Sequence, residues 1–317
     1  AGDGAGSPRR AGCLKAFFCP TFELPLPAGH AFPMAKYRRL FERVRDHADA
    51  WRVTLSEPVS ASDEALRRVH CPDYIERVRR GTLSGQEQRR IGFPWSEAMA
   101  RRARRTVGGT IAALDAALDG DGIAVNLAGG THHAAFDRGG GYCIFNDAVV
   151  ASRHAQAEGR ARRLLVVDLD VHQGNGTAEL VAGDDTIFAF SMHDAKNYPA
   201  IKPASDLDVP LPPGTDDARY LDRLAAHLPR AIDAARPDAV LYLAGADPFV
   251  GDRLGQLALT KAGVAQRDRF VFESCRRLGL PVAVAMAGGY APDVDDIVDI
   301  HAETVRLAAR MACGPMP

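Results

Sequence analysis

Strand-length runs of apolar residues alternate with helical patterns from about residue 96 to the end of this chain. The runs are almost continuously hydrophobic and cover residues 123–127, 164–169, 186–190, 239–243 and 282–287. Such runs are typical of strands in parallel sheets that are covered on both faces. Helical stretches separate most of them, which implies right-handed crossovers. The chain is therefore predicted to have an α/β fold, with a large, mainly parallel central sheet flanked by helices.

The predicted helices have recognisable starts and apolar faces. Ser96 can cap a helix whose apolar residues recur at helical spacing, and Gly120 and Gly122 can end that helix. Further helical patterns lie at residues 34–47, 63–80, 221–232 and 294–310.

Length and composition favour one domain. At 317 residues the chain exceeds a typical single domain, but α/β proteins built on one sheet reach this size undivided. The hydrophobic fraction of 46% and the charged fraction of 25% are those of an ordinary globular protein. No repeat or linker is visible, so residues 13–317 are predicted to form a single domain. Residues 1–12 are predicted to be a flexible tail or an expression remnant.

Charge and cysteine content narrow the possible partners and compartment. The net charge of −1 creates no field that would attract nucleic acid. The basic cluster at residues 101–105 is predicted to be a solvated helix face rather than a binding patch. The cysteines include no Cys-x-x-Cys pair, which favours a reducing cytoplasm over a disulfide framework or a thiolate zinc site. No apolar run approaches the roughly 18 residues that a membrane span needs.

Three ionisable residues follow one of the buried strands. Asp168, Asp170 and His172 alternate in sequence, and in an extended chain such residues face the same side. Carboxylate oxygen and imidazole nitrogen suit a catalytic zinc, which keeps one coordination position open. The alternative is a hydrogen-bonded polar cluster, but three such side chains would be costly to desolvate without a cation.

Other strand ends add residues to the same edge, because ligands of open α/β sheets bind beyond the carboxyl ends of the strands. Asp247 follows the run 239–243 and completes an Asp, His, Asp set, although alone it could be a helix cap. His132 and His133 follow the run 123–127 and could shuttle protons, with Asp168 as a natural partner. Tyr290 follows two glycines, and its phenol could donate to a developing oxyanion or simply belong to a turn.

These segments, in this order, resemble the histone deacetylases of the arginase/deacetylase superfamily. The resemblance spans about residues 20–310 and is carried by residues 131–134, 139–147, 168–176, 245–247 and 288–290. Residues 30–37 and 251–255 are most similar to the class IV branch and its bacterial relatives. The resemblance implies the arginase/deacetylase fold and makes residues 13–317 a deacetylase catalytic domain.

The resemblance also implies roles for the site residues. It makes Asp170, His172 and Asp247 the zinc ligands and Tyr290 the residue that polarises the substrate carbonyl. His133 becomes the general base and then acid, with His132 as its relay partner on Asp168, although these two roles could be exchanged.

Substrate-binding and potassium-binding residues follow from the same resemblance. The carbonyl of Gly141 should accept the substrate amide N–H, and Tyr142 and Tyr198 should wall a narrow channel. A structural potassium ion is expected, held by Asp168, Asp170, His172, Ser191 and Met192.

Two positions depart from the pattern of the family. Asn175 stands where some relatives carry an aspartate beside the second histidine, so His133 should be less strongly driven to its charged form. The loop at residues 86–97 lacks a clear acidic residue to anchor a peptide and carries Phe93, Pro94 and Trp95 instead.

The function implied is zinc-dependent hydrolysis of N-acyl-lysine amides in a protein or peptide. The class IV likeness implies a preference for long acyl chains. An acetylpolyamine or other small-amine amidohydrolase would use the same chemistry. A two-manganese ureohydrolase is disfavoured because too few carboxylates are present for a second metal, and an inactive acyl-lysine reader is disfavoured because every ligand and Tyr290 are present.

Overall fold

The computed structural model describes residues 14–313 and contains one eight-stranded sheet in the order β2-β1-β3-β8-β7-β4-β5-β6. Every neighbouring pair is parallel. The strands are β1 (Leu14–Phe17), β2 (Val53–Ser56), β3 (Ile123–Asn126), β4 (Leu164–Asp168), β5 (Ile187–Asp194), β6 (Leu207–Leu211), β7 (Ala239–Leu243) and β8 (Val282–Ala285). The predicted fold class is confirmed, and the sheet is entirely rather than mainly parallel.

Helices connect the strands and cover the sheet. They are α1 (Lys36–Asp46), α2 (Ala48–Trp51), α3 (Asp63–Arg67), α4 (Pro72–Arg80), α5 (Gly85–Ile91), α6 (Glu97–Ala116), α7 (Asp147–Ala157), α8 (Asn175–Leu180), α9 (Asp217–Ala235), α10 (Lys261–Arg277) and α11 (Val294–Cys313). The residues of the central strands β3, β8, β7 and β4 are all buried, as strands with helices on both faces must be.

Helix boundaries follow local signals closely. The Ser96 side chain accepts a hydrogen bond from the backbone N–H of Met99, which confirms the predicted cap of α6. The predicted helix at residues 63–80 is two helices, because Pro72 cannot donate a backbone hydrogen bond and instead begins α4. The chain leaves α6 through a π turn, Ala117–Asp121, in which Gly120 has a φ of 109°.

The basic cluster on α6 differs from its prediction. Arg101 is exposed, but Arg102 is only 3% exposed and donates from Nε to the carbonyl of Phe22 at 2.7 Å. Arg104 and Arg105 are half-buried, with Arg104 paired to Asp63. The prediction of a solvated face is therefore wrong for Arg102, whose guanidinium lies in the interior against aromatic rings.

The sheet order brings the predicted site residues to one edge. Strands β3, β8, β7 and β4 are consecutive neighbours, and each is followed by one of the polar segments singled out above. The expected tail at residues 1–12 lies outside the described residues. Within residues 14–313, no helix is long and apolar enough to cross a membrane, and Cys19, Cys71, Cys143 and Cys275 form no disulfide bond.

Candidate active site

A buried Asp, His, Asp cluster lies where β4 and β7 end. Asp170, His172 and Asp247 each offer one ligand atom, and these atoms all lie within 4.8 Å of one another. His172 Nδ1 is 3.0 Å from Asp170 Oδ1 and 3.4 Å from Asp247 Oδ2. The predicted ligand set is thus brought together by the fold.

The cluster has the features of a cation site. Asp247 Oδ2 is buried and lacks a hydrogen-bond partner among the described residues. A Cβ atom at Gly288 would lie 1.9 Å from this oxygen and 2.6 Å from Asp170 Oδ2, so only glycine leaves the space beside the two carboxylates open. The nearest cationic group to this oxygen is His172 Nδ1 at 3.4 Å, the distance of an ion pair without a hydrogen bond. Because a buried carboxylate oxygen that accepts no hydrogen bond is costly, these residues fit a small divalent cation.

Charges within the metal-free cluster are strongly coupled. Burial opposes a charge on His172, but Asp170 and Asp247 outweigh it and raise the pKa of His172 to about 10. Burial and repulsion from Asp170 raise the pKa of Asp247 to about 7. Without a metal, the His172 imidazolium is therefore the cation that balances the acids. A metal must displace this proton, since only neutral imidazole is a ligand.

The two neighbouring histidines, His132 and His133, differ in charge. His132 Nδ1 lies 2.6 Å from Asp168 Oδ2, and the Nε2 atoms of His132 and His133 are 3.1 Å apart. Burial opposes a charge on His132, but Asp168 and Asp170 raise its pKa to about 9. Burial and the charges of His132 and His172 hold the pKa of His133 well below 6.5. His133 is therefore neutral beside a charged His132.

Asn175 orients the neutral histidine. Its Oδ1 lies 2.7 Å from His133 Nδ1. Because this amide oxygen only accepts hydrogen bonds, it selects the tautomer with a proton on Nδ1 and places the lone pair on Nε2, which faces His132 Nε2 at 3.1 Å. His133 is thereby prepared to accept a proton at Nε2.

Tyr290 lies beside the cluster after the turn that follows β8. Its backbone N–H donates to Asp252 Oδ2 at 2.6 Å, and Gly289 adopts a φ of 152°. Burial, with the charges of Asp170 and Asp247, raises the pKa of the Tyr290 phenol well above 10. The phenol therefore keeps its proton and remains a hydrogen-bond donor. Asp252 anchors this turn, a role that its sequence position did not indicate.

An outer channel of about 310 Å³ leads from the surface to these residues. The ring of Tyr142 lies 5.9 Å from that of Tyr290, and the ring of Tyr198 lies 4.8 Å from that of His133, measured between centroids. Both tyrosines line the channel, as predicted. Gly141 also lines it, and a Cβ atom there would lie 2.5 Å from His133 Cδ2, so this position requires glycine.

A smaller, inner pocket lies on the other side of the cluster. Its volume open to water-sized atoms is only about 30 Å³. Phe32, Lys36, Tyr37 and Arg102 line its far side. The Lys36 ammonium donates to the carbonyl of Gly289 at 3.2 Å and lies 5.2 Å from the Tyr290 ring centroid. Residues 30–37 carry part of the class IV resemblance, and nothing in their sequence pattern indicated that Lys36 would be buried.

The expected potassium ligands are adjacent but show no sign of a cation. Ser191 in β5 is in register with Asp168 in β4, and Met192 is buried. The Ser191 hydroxyl lies 2.9 Å from His193 Nδ1, which already gives it a partner. Potassium binding stays a prediction.

Comparisons with known proteins agree with this geometry. The family model described as the histone deacetylase domain matches residues 30–305. An uncharacterized protein of Picosynechococcus is 45% identical over 289 residues, covering 91% of this chain and 96% of that protein. A histone deacetylase-like amidohydrolase of Pseudomonas aeruginosa is 30% identical, covering 84% of this chain and 74% of that protein. The crystal structure of the HDA15 HD domain superposes with a TM-score of 0.78 at 23% identity, covering 93% of this chain and 90% of that one.

Together the fold and these matches define the chain as a hydrolase of the amidohydrolase class. It belongs to the histone deacetylase family.

Proposed function

We propose that this protein hydrolyses N-acyl-lysine amides with one zinc ion held by Asp170, His172 and Asp247. The observation that carries the proposal is the buried cluster itself, whose ligand atoms lie within 4.8 Å beside an unpartnered carboxylate oxygen. Two carboxylates and one imidazole leave a coordination position open, as catalytic zinc sites do. When bound, zinc would polarise the acyl carbonyl and lower the pKa of water.

The two histidines divide the proton transfers between them. His133 is neutral and presents Nε2, so it accepts the proton of the attacking water and later returns it to the leaving amine. His132, charged through Asp168, places positive charge beside the reacting centre. The difference in their environments supports the base role for His133 and the electrostatic role for His132.

The remaining residues hold the substrate. The Tyr290 phenol donates a hydrogen bond to the oxyanion as it forms. Tyr142 and Tyr198 pack against the alkyl stem of the lysine, and the carbonyl of Gly141 accepts the amide N–H. This carbonyl now accepts a 3.3 Å contact from the Cys143 thiol, a weak donor that a substrate amide could replace.

Charges at the channel mouth favour acyl-lysine over acetylpolyamine. Arg89 and Arg90 line the mouth, and no carboxylate belongs to the channel lining. Among residues 14–313, neither the Arg89 nor the Arg90 side chain forms an ion pair with a carboxylate. A polyamine carries further ammonium groups, which these two guanidinium groups repel.

The inner pocket favours a short acyl group, contrary to the long chain that the class IV likeness implied. The space open to water-sized atoms is about 30 Å³, roughly a tenth of that in the outer channel. The methyl of an acetyl group fits, whereas a long chain would displace Phe32 or Lys36.

A substrate comparison tests the proposal. Zinc-loaded protein would be assayed with one peptide carrying acetyl-lysine or myristoyl-lysine, and with acetylated polyamines. We expect the highest kcat/KM for the acetyl-lysine peptide. Hydrolysis of the polyamines alone would replace the proposed substrate, and hydrolysis of none of the amides would contradict the function.

A further inference from the structure

A fully buried arginine lies beneath the ligand cluster, on a helix that contributes no ligand. Arg267 belongs to α10 and is 0% exposed. Its Nη1 donates to the carbonyl of Leu169 at 3.1 Å and to the carbonyl of Gly245 at 2.7 Å. These acceptors lie 98 and 22 residues away in sequence. One nitrogen atom therefore joins the backbone segments that follow the neighbouring strands β4 and β7, beyond the last hydrogen bond between them, from Leu169 N–H to the carbonyl of Leu243.

Both of these segments carry the proposed metal ligands. Leu169 lies between Asp168 and Asp170 after β4, and Gly245 lies two residues before Asp247 after β7. The spacing of these two segments sets the distance between the Asp170 and Asp247 carboxylates, which must converge on one ion. Arg267 is thus placed to fix the separation on which metal binding depends.

The cation is itself held by the neighbouring acid. Arg267 Nε and Nη2 lie 2.9 Å and 2.8 Å from Asp268 Oδ1. Asp268 also accepts hydrogen bonds from the hydroxyls of Tyr242 at 2.5 Å and Thr304 at 2.6 Å. Strand β7 and helix α11 therefore help to fix the guanidinium, which limits how far the two carbonyls can move apart.

Stability alone does not explain this arrangement. A buried ion pair often contributes no more than well-packed apolar residues of the same volume would. An apolar pair could not bridge the two carbonyls. The planar guanidinium holds its donors in a fixed arrangement, so that Nη1 reaches the two carbonyls while Nε and Nη2 face Asp268. Lysine has no such planar group.

We propose that Arg267 is a positioning residue that holds the two ligand-bearing segments at the separation needed for high metal affinity. The role rests on the proposed zinc site. It assigns to α10 a contribution to metal binding that reaches the ion only through the backbone.

Zinc affinity of variants tests this role directly. Arg267→Lys keeps the charge and loses the planar group, whereas the double variant Arg267→Leu with Asp268→Leu removes the ion pair without leaving a buried charge. Val271→Ala is the control, because it truncates a fully buried apolar side chain of the same helix. The dissociation constant for zinc would be measured by chelator competition, together with the Tm of each metal-free protein and with kcat and KM.

We expect both Arg267 changes to weaken zinc binding about 10- to 100-fold, as loss of a group that orients ligands does elsewhere. Val271→Ala should lower the Tm of the metal-free protein and leave the zinc dissociation constant within about twofold, since its side chain cannot donate a hydrogen bond to the ligand segments. Unchanged zinc affinity in the double variant would overturn the role while leaving the proposed function intact. Failure of the unaltered protein to bind zinc would overturn both.

Discussion

Two cavities meet at the ligand cluster and differ in size and character. The outer channel of about 310 Å³ is open to solvent, with Tyr198 43% exposed, whereas the inner pocket has about 30 Å³ and is bounded by the buried cations Lys36 and Arg102. The residues common to both are His133, Gly141, Tyr142, His172 and Tyr290. In the proposed function, the channel selects an extended amine and the pocket a small acyl group, with the chemistry at their junction.

Tyr290→Phe tests the junction and should have the largest effect. The phenol is the donor aimed at the oxyanion, so its loss should reduce kcat by about 10²- to 10³-fold with little change in KM. Steady-state kinetics on an acetyl-lysine peptide would measure this. Tyr198→Phe, which removes a hydroxyl from the outer wall, is the matched control. An unaltered kcat would reassign Tyr290 to the turn.

Acyl length tests the inner pocket. Myristoyl-lysine should be hydrolysed with kcat/KM at least about tenfold lower than acetyl-lysine, because seating it requires displacement of packed side chains. Phe32→Ala should raise the ratio of butanoyl to acetyl hydrolysis by enlarging the pocket. If the unaltered protein preferred myristoyl-lysine, the inner pocket must open to admit a long chain. That result would contradict the claim that the pocket accepts only a small acyl group.

Reversing the charge of Arg89 and Arg90 tests the mouth of the channel, and its effect on kcat/KM should be smaller. Changing Arg89 and Arg90 together to Glu should raise kcat/KM for acetylated polyamines about fivefold, since exposed charge pairs contribute up to about 1 kcal/mol. The gain should diminish at high salt. Changing both residues to Gln should give an intermediate value. A gain that is equal for a neutral acetyl-lysine peptide would point to altered channel shape rather than charge.

The pH profile tests the histidine pair. His133 must be neutral to accept a proton, and its pKa is held well below 6.5, so kcat/KM should decline only at pH values below 6.5. Asn175→Asp adds a carboxylate beside Nδ1, which favours the charged imidazole and should move the acid limb upward by about one pH unit. Profiles at saturating zinc would measure the shift. An acid limb that stayed in place would contradict the assignment of His133 as the base.

The sequence predicted the parts of the molecule whose signals are local. The buried strands β3, β4, β7 and β8 are continuous apolar runs, and alternation grouped Asp168, Asp170 and His172. The extended chain assumed for that grouping ends at Asp168, and a bend at residues 170–172 brings Asp170 and His172 to the ligand cluster. The strands β1 and β2 went unpredicted because polar residues interrupt their short apolar runs, Lys15 in β1 and Thr54 and Ser56 in β2. The short strand β6 also escaped, and its Pro210 is tolerated because β6 lies at the edge of the sheet.

Residues that act through long-range contacts could not be predicted in this way. Arg102 looked like one member of a solvated cluster, and only the packed structure shows its guanidinium against Tyr37 and Phe93. Arg267 is 98 residues from one of its acceptors, so no sequence spacing relates them. Cavity volume also depends on how the chain packs. The resemblance therefore implied long acyl chains, whereas the small inner pocket favours a short one.

Metal dependence tests the central claim most directly. Metal-free protein should be inactive toward acetyl-lysine peptide, and about one equivalent of zinc should restore activity, because Asp170, His172 and Asp247 form a single site. Zinc affinity should rise with pH between pH 6 and 8, and more steeply below about pH 7, since binding displaces the proton from His172 and at the lower pH also from Asp247. Asp247→Ala should abolish stoichiometric zinc binding and activity while the protein stays folded by circular dichroism. Full activity in metal-free protein, or zinc-restored activity in Asp247→Ala equal to that of the unaltered protein, would contradict the account.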